Sequence, residues 1–248
     1  MQNTSYAIAL GLGVALTLPP RTAYACGSSG PDGVSACSLA DYEEAQRPRW
    51  RAGASGVYTS TVMSFGGGLQ PGETRYALLA DVAYAPTARL SLSVGLGATL
   101  GGKLLAPDGP HDFNPGLAAA VGASYRLVST STPAGNLFVV ASAVVSFNSA
   151  TTQLDGQGTK TAYDALDLRI GAAAGLTWFR ALSGYVVVRA FGGPAYWNYH
   201  DASELGTDTH HYQVGGGFAL LVARRVEVFA EGVPLGEQAV SAGASIAF

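Results

Sequence analysis

Eight charged residues interrupt stretches that are otherwise apolar and rich in glycine: Arg51, Asp81, Arg126, Asp167, Arg169, Arg189, Glu227 and Glu231. Four are basic and four acidic. In an extended chain successive side chains point to opposite faces, and these eight all take the parity opposite to the large apolar residues around them. Opposite charges gathered on one inner face can do two kinds of chemistry. They can satisfy one another as a structural network, or they can line a constriction that selects among solutes, with Arg169, Arg189, Asp167 and Glu231 as its residues. Balanced charge favours the network, because a selective constriction usually shows charges of one sign.

The four histidines fall in two polar connections. His111 stands near Asp108 and Asp112, and His200, His210 and His211 stand near Asp201, Glu204 and Asp208. Imidazole and carboxylate are ordinary metal ligands, so one of the second group with Asp201 could hold a metal ion. The spacing matches no strong ligand motif, and polar connections carry such residues by default. Neither a metal nor a cofactor is expected. Gly95-x-Gly97 followed by Gly101 has the wrong spacing for a dinucleotide fingerprint and precedes no helix. No Gly-x-Ser-x-Gly elbow occurs.

These residues are positioned by strands. The pattern is plainest in 90–100, LSLSVGLGATL, where Leu90, Leu92, Val94, Leu96, Ala98 and Leu100 alternate with Ser91, Ser93, Gly95, Gly97 and Thr99. Ten such segments follow one another: 50–65, 75–85, 88–101, 116–128, 136–149, 162–178, 184–197, 212–223, 226–233 and 238–248. The connections alternate long and short except for the last, which is short. An even number of antiparallel strands with alternating loop lengths predicts a closed up-and-down transmembrane β-barrel of about ten strands.

The apolar parity then faces lipid. On that face Trp50, Tyr84, Tyr125, Trp178 and Phe248 gather towards one end, and Tyr76, Phe147, Tyr196 and Tyr212 towards the other. Amphipathic rings collect at the two headgroup levels of a bilayer. Asp164 is the only charge of this parity, next to a long connection and so above the hydrocarbon. Arg180, Arg224 and Arg225 in short turns could meet lipid phosphates.

Composition agrees. Charged residues make up 12%, about half the usual share, and the 33 glycines are nearly twice the usual usage. A net charge of −3 without a basic stripe excludes nucleic acid as a partner. The apolar run at 7–18, then Pro19, Pro20 and Ala23-Tyr24-Ala25, predicts a cleaved signal peptide over 1–25. Residues 26–48 would form a periplasmic arm with a short helix at 38–46, and the barrel would occupy 49–248. A Cys26–Cys37 disulfide in the exported arm would stabilise it by roughly 2–3 kcal/mol. Lipidation of Cys26 is the alternative, although Ala23 stands where such signals usually carry Leu.

The closing segment, with Val240, Ile246 and a terminal Phe248 at alternate positions, resembles the C-terminal signal by which Gram-negative outer-membrane β-barrel proteins are recognised by their assembly machinery. The resemblance implies an outer-membrane location, with membrane lipid and that machinery as partners. It is specific for the class and not for a function within it. Asp208-Thr209-His210 is also similar to the Asp-x-His of the ten-stranded omptin proteases, but their partner Asp-x-Asp is absent here. The expectation is therefore a barrel that is not an enzyme, a small pore or passive transporter with a charged lumen that paired side chains could plug. The alternatives are a structural or adhesive barrel acting through 198–211, with Trp197 and Tyr199 exposed, and a surface protease. A small solute or surface ligand is not identified by the sequence.

Overall fold

The computed structural model describes residues 50–154, 158–179, 181–199, 202–223 and 225–248. The expected signal peptide, the arm with Cys26 and Cys37, and Arg180, His200, Asp201 and Arg224 lie outside the described residues. The described chain is all β, apart from one 3-10 turn at Gly66–Gly68.

Thirteen antiparallel strands are present: β1 (Trp50–Phe65), β2 (Gly72–Tyr84), β3 (Leu90–Ala106), β4 (Gly109–Phe113), β5 (Gly116–Thr132), β6 (Gly135–Leu154), β7 (Lys160–Trp178), β8 (Leu182–Gly192), β9 (Ala195–Tyr199), β10 (Ala202–Asp208), β11 (Tyr212–Ala223), β12 (Val226–Gly236) and β13 (Gln238–Ala247). Ten strands form a ring in the order β1-β2-β3-β5-β6-β7-β8-β11-β12-β13. It closes where β13 pairs with β1, from Arg51 opposite Ala247 to Ser60 opposite Gln238. Closure leaves the ten-stranded wall without an open edge, which a lipid-exposed sheet requires.

The three additional strands correct the expected count of ten. β4, β9 and β10 continue β5, β8 and β11 beyond short interruptions at Asn114 and Pro115, at Gly193 and Pro194, and at Thr209 to His211. Proline has no N–H to give to a ladder, so two of these breaks fall where pairing must lapse. Beyond the breaks a second, narrower ring runs β1-β2-β3-β4-β6-β7-β9-β10, and it closes through Met63 opposite Asp208 and Phe65 opposite Gly206. β12 and β13 do not reach it. They turn back at Gly236, whose φ of 84° suits glycine and where a Cβ would collide with the Tyr212 carbonyl. Much of 102–115, 150–161 and 198–211, expected to be loop, is therefore strand.

The outward face of the ten-stranded ring is apolar. Val94, Leu96, Val121, Ile170, Val186, Val222 and Val240 are all more than half exposed. Trp50, Tyr125 and Phe248 lie outward at the end that carries both chain ends of the barrel, and Tyr76, Tyr196 and Tyr212 at the other. An apolar belt on a sheet whose backbone is fully paired is a lipid-facing surface.

Inside, two apolar clusters lie at opposite ends. Phe138, Val140, Tyr185 and Val187 with Ala173 pack on the inner face of β6, β7 and β8 as an apolar floor on one side of the lumen, towards the end that carries the chain ends. Met63, Phe65, Leu104, Phe113, Tyr163, Ala195 and Trp197 form a roof inside the narrower ring. A bulge in β3 opposite Tyr76 and Ala77 reverses the parity of β3, so that Leu104 is fully buried within the roof while Leu105 points out.

Candidate functional site

Between floor and roof the lumen is polar, and its charges fall into tiers. Lowest, Arg51 faces the charges of Glu227 and Asp81, which with Arg126 are buried on the inner face of the ring. Next, Arg189 makes a two-pronged contact across to β12, Nη1 to Glu231 Oε1 at 2.8 Å and Nη2 to Oε2 at 3.1 Å, and the Tyr185 hydroxyl donates to the same carboxylate at 3.1 Å. A fork of this kind on a fully buried carboxylate satisfies both partners.

Above these, Arg169 binds Asp167 at 2.5 Å and Glu237 at 2.9 Å and lies over the Phe191 ring. Glu237 also accepts from Gln213 Nε2 at 3.0 Å. Arg75 pairs with Glu73 at 2.8 Å, and Glu73 accepts from the Tyr163 hydroxyl at 2.5 Å. Thus Arg189 with Glu231, and Arg169 with Asp167, are joined as direct pairs.

The sequence reading omits Glu73, Arg75, Tyr163, Gln213 and Glu237. Arg75 and Glu73 have the parity of Asp81 and would have been found by continuing the β2 alternation beyond residue 75. Glu237 carries no such signal, because it sits in a turn. It is buried only because the narrower ring closes over the β12–β13 hairpin.

A chamber of two lobes occupies the middle of the lumen. The lower lobe, with a cavity volume of about 50 Å³, is lined by Val57, Thr59, Ala77, Leu79, Ala118 and Ala120. The upper lobe, also of about 50 Å³, is lined by Thr61, Asp167, Asp208, Glu237, Phe191 and the wall break at Gly193 and Pro194, among others. Arg75, Ser146, Asn148 and Arg169 line both and form the waist. The Thr59 hydroxyl, on a residue only 9% exposed, and the Ser146 and Asn148 side chains make no hydrogen bond among the described residues.

Towards the far end, Asp208 accepts from Thr61 Oγ1 at 2.6 Å and from the His210 backbone N–H at 2.7 Å. Burial pushes its carboxyl above the usual range, against the pull of these two bonds. The His210 ring instead contacts Thr209 Oγ1 and stacks against Tyr212, so no side-chain dyad forms with Asp208. His111 Nε2 lies 3.1 Å from Asp108, and its ring packs edge-on to Trp197 and beside Tyr199. Burial would raise the Asp108 carboxyl, but bonds from His111 and Tyr199 outweigh it and hold Asp108 below the ordinary value.

Trp197 was expected to be exposed and is not. It is fully buried in the roof, with Nε1 donating to Thr152 Oγ1 at 2.9 Å, because β9 continues the wall instead of entering a loop. Among the described residues, no group of three or more His, Cys, Asp or Glu side chains could hold a metal ion.

No protein-family model matches the chain, and no curated sequence matches it. Solved structures do. The outer membrane protease OmpT from Escherichia coli superposes with a TM-score of 0.52 at 11% identity, covering 84% of this chain and 99% of that one. Neisserial surface protein A gives 0.42 at 13% identity over 80% and 97%, and OprG from Pseudomonas aeruginosa gives 0.44 at 12% over 82% and 97%. At such identities the OmpT likeness establishes the fold. The chain has the fold of a Gram-negative outer-membrane β-barrel, and its lipid-facing belt is that of a protein resident in the outer membrane.

Proposed function

We propose that this outer-membrane barrel is a passive transporter whose lumen is occluded at rest, and that it is not an enzyme. The observation that carries the reading is the two-lobed chamber between an apolar floor and an apolar roof. A barrel built only as an anchor would fill this space with side chains, since ten strands enclose little more than such packing requires. Here unpaired hydroxyls and a carboxamide face an internal space instead. The apolar roof and the buried ion pairs beneath it argue against a permanently open pore, and the pairing of opposite charges argues against a filter of one sign. Enzymatic work by Asp208 and His210 receives no support from their geometry, because the carboxylate is engaged by Thr61 and a backbone N–H. Assembly would proceed through the outward-facing Val240, Ile246 and Phe248 at the chain end.

The test uses the purified full barrel in planar bilayers and in proteoliposomes. The expected result is no steady ohmic current, together with uptake of small polar solutes that saturates with concentration. A constant open-channel conductance would overturn occlusion. No uptake of any small solute would overturn transport.

A further inference from the structure

The chamber has three chemically distinct levels, and their order limits what can occupy it. The lower lobe is walled by Val57, Ala77, Leu79, Ala118 and Ala120, small apolar side chains that leave room for a short aliphatic body. The waist carries two guanidiniums, Arg75 and Arg169, with Asn148 and Ser146 beside them. Asp167, Asp208 and Glu237 line the upper lobe. Around the waist and upper lobe, four carboxylates (Glu73, Asp167, Asp208, Glu237) face two guanidiniums. The internal pairs leave acid in excess above the waist, while at the waist the buried Arg75 Nη1, beside the Glu73 pair made by Nε, keeps no hydrogen-bond partner among the described residues.

Each simple ligand suits only part of this. A carboxylate alone would meet the waist and add to the acidic excess. An amine alone would meet the upper lobe and leave the Arg75 Nη1 donor without an acceptor. We propose that the chamber binds a small aliphatic α-amino acid as its zwitterion, with the carboxylate at Arg75 and Arg169, the ammonium beside Asp208 and Glu237, and the side chain among Val57, Leu79 and the alanines. The unpartnered Thr59 hydroxyl and Asn148 carboxamide, both facing the cavity, supply further hydrogen bonds to the polar end. Charge-assisted pairing of guanidinium with carboxylate in a space shielded from bulk water makes the contact selective for the intact zwitterion. This inference names the substrate class of the transport reading and rests on the same chamber.

The experiment is calorimetric titration of the refolded full-length barrel in detergent with three probes. These are L-leucine, 3-methylbutylamine, which lacks the carboxylate, and 4-methylpentanoate, which lacks the ammonium. Leucine is expected to bind at least tenfold more tightly than either fragment. Arg169→Gln is expected to bring leucine down to the level of the amine or below it, in a barrel that keeps its heat-modifiable migration. Ala120→Phe fills the lower lobe and is expected to abolish binding of all three, while heat-modifiable gel migration reports an intact barrel. Equal affinities for leucine and its fragments, no leucine binding, or unaltered binding by a folded Ala120→Phe barrel would each overturn the proposal. Leucine binding without uptake into proteoliposomes would overturn the transport reading and leave this one standing. Uptake of other solutes by a barrel that does not bind leucine would overturn this one alone.

Discussion

The ten-stranded ring and the narrower ring above it share several strands, yet along those strands the faces that carry charged and bulky apolar residues change. Along β1 the inward residues change from Ser55 and Thr59 to Met63 and Phe65, and along β7 from Arg169 and Asp167 to Ala165 and Tyr163. Outward residues change the other way, from Leu168 and Leu166 to Asp164 and Lys160 on β7, and from Leu96 to Lys103 on β3. Where lipid surrounds the wall, apolar groups gain nothing by turning inward and polar groups must. Where water surrounds it, burial of apolar surface again drives packing, at about 25 cal/mol per Å². One strand thus obeys two solvents in succession.

The sharpest way to break this comparison is to remove the centre of the upper core. Trp197→Ala empties a fully buried site and is expected to cost about 3–5 kcal/mol, read as earlier loss of the upper ring in urea titrations. The ten-stranded ring should keep its heat-modifiable migration. If both rings unfold together and early, they are one cooperative unit and the contrast has no energetic meaning.

In the ionic tier Arg189→Ala leaves the Glu231 carboxylate buried without its fork, and a loss of about 3–5 kcal/mol is expected. Replacing both partners with apolar residues of similar volume, Arg189→Met with Glu231→Leu, should restore most of it. Arg169→Ala combined with Arg189→Ala is expected to open a measurable ionic current in planar bilayers. Silence of that double variant would mean that the apolar floor and roof seal the lumen unaided.

A smaller effect is expected where the rings join. Thr61→Val removes the hydroxyl that Asp208 accepts from and should destabilise by about 1 kcal/mol in chemical denaturation. The smallest concerns the upper ring alone. Asp108 is held below its ordinary value, so the stability it contributes is complete above the unfolded carboxyl range, near pH 4, and is lost as pH falls through the lowered value. Tyr199 is raised by burial and by its bond to Asp108, so its contribution persists to about pH 10 and is lost above. Trp197 fluorescence in a Trp50→Phe, Trp178→Phe background should therefore report a flat plateau between those limits, with a loss on either side that Asp108→Asn abolishes on the acid side.

The fold was legible because a period of two is local. Any strand whose two faces meet different solvents must alternate, so Leu90 to Leu100 could be aligned to lipid and lumen without knowing its neighbours. The same parity placed Arg51, Asp81, Arg189 and Glu231 on the inner face. It failed at residues 102–113 and 195–208, where the solvent outside changes and the pattern inverts, and the segments then resemble polar loop. Hence β4 and β10 were missed, β9 was read only as the end of one strand over 184–197, and Trp197 was read as exposed.

By itself, then, the sequence determined the all-β class, the alternation that fits a membrane wall, and which face each membrane-level charge takes, since these depend only on neighbours along one strand. Only the tertiary structure decided that Arg189 meets Glu231, that Arg75 and Arg169 share a waist, and that Glu237 is buried. Those contacts join residues distant in the chain, and they exist because two rings of different circumference close one above the other. That difference is set by where pairing lapses at Pro115, Pro194 and Gly236, and it leaves the chamber between them.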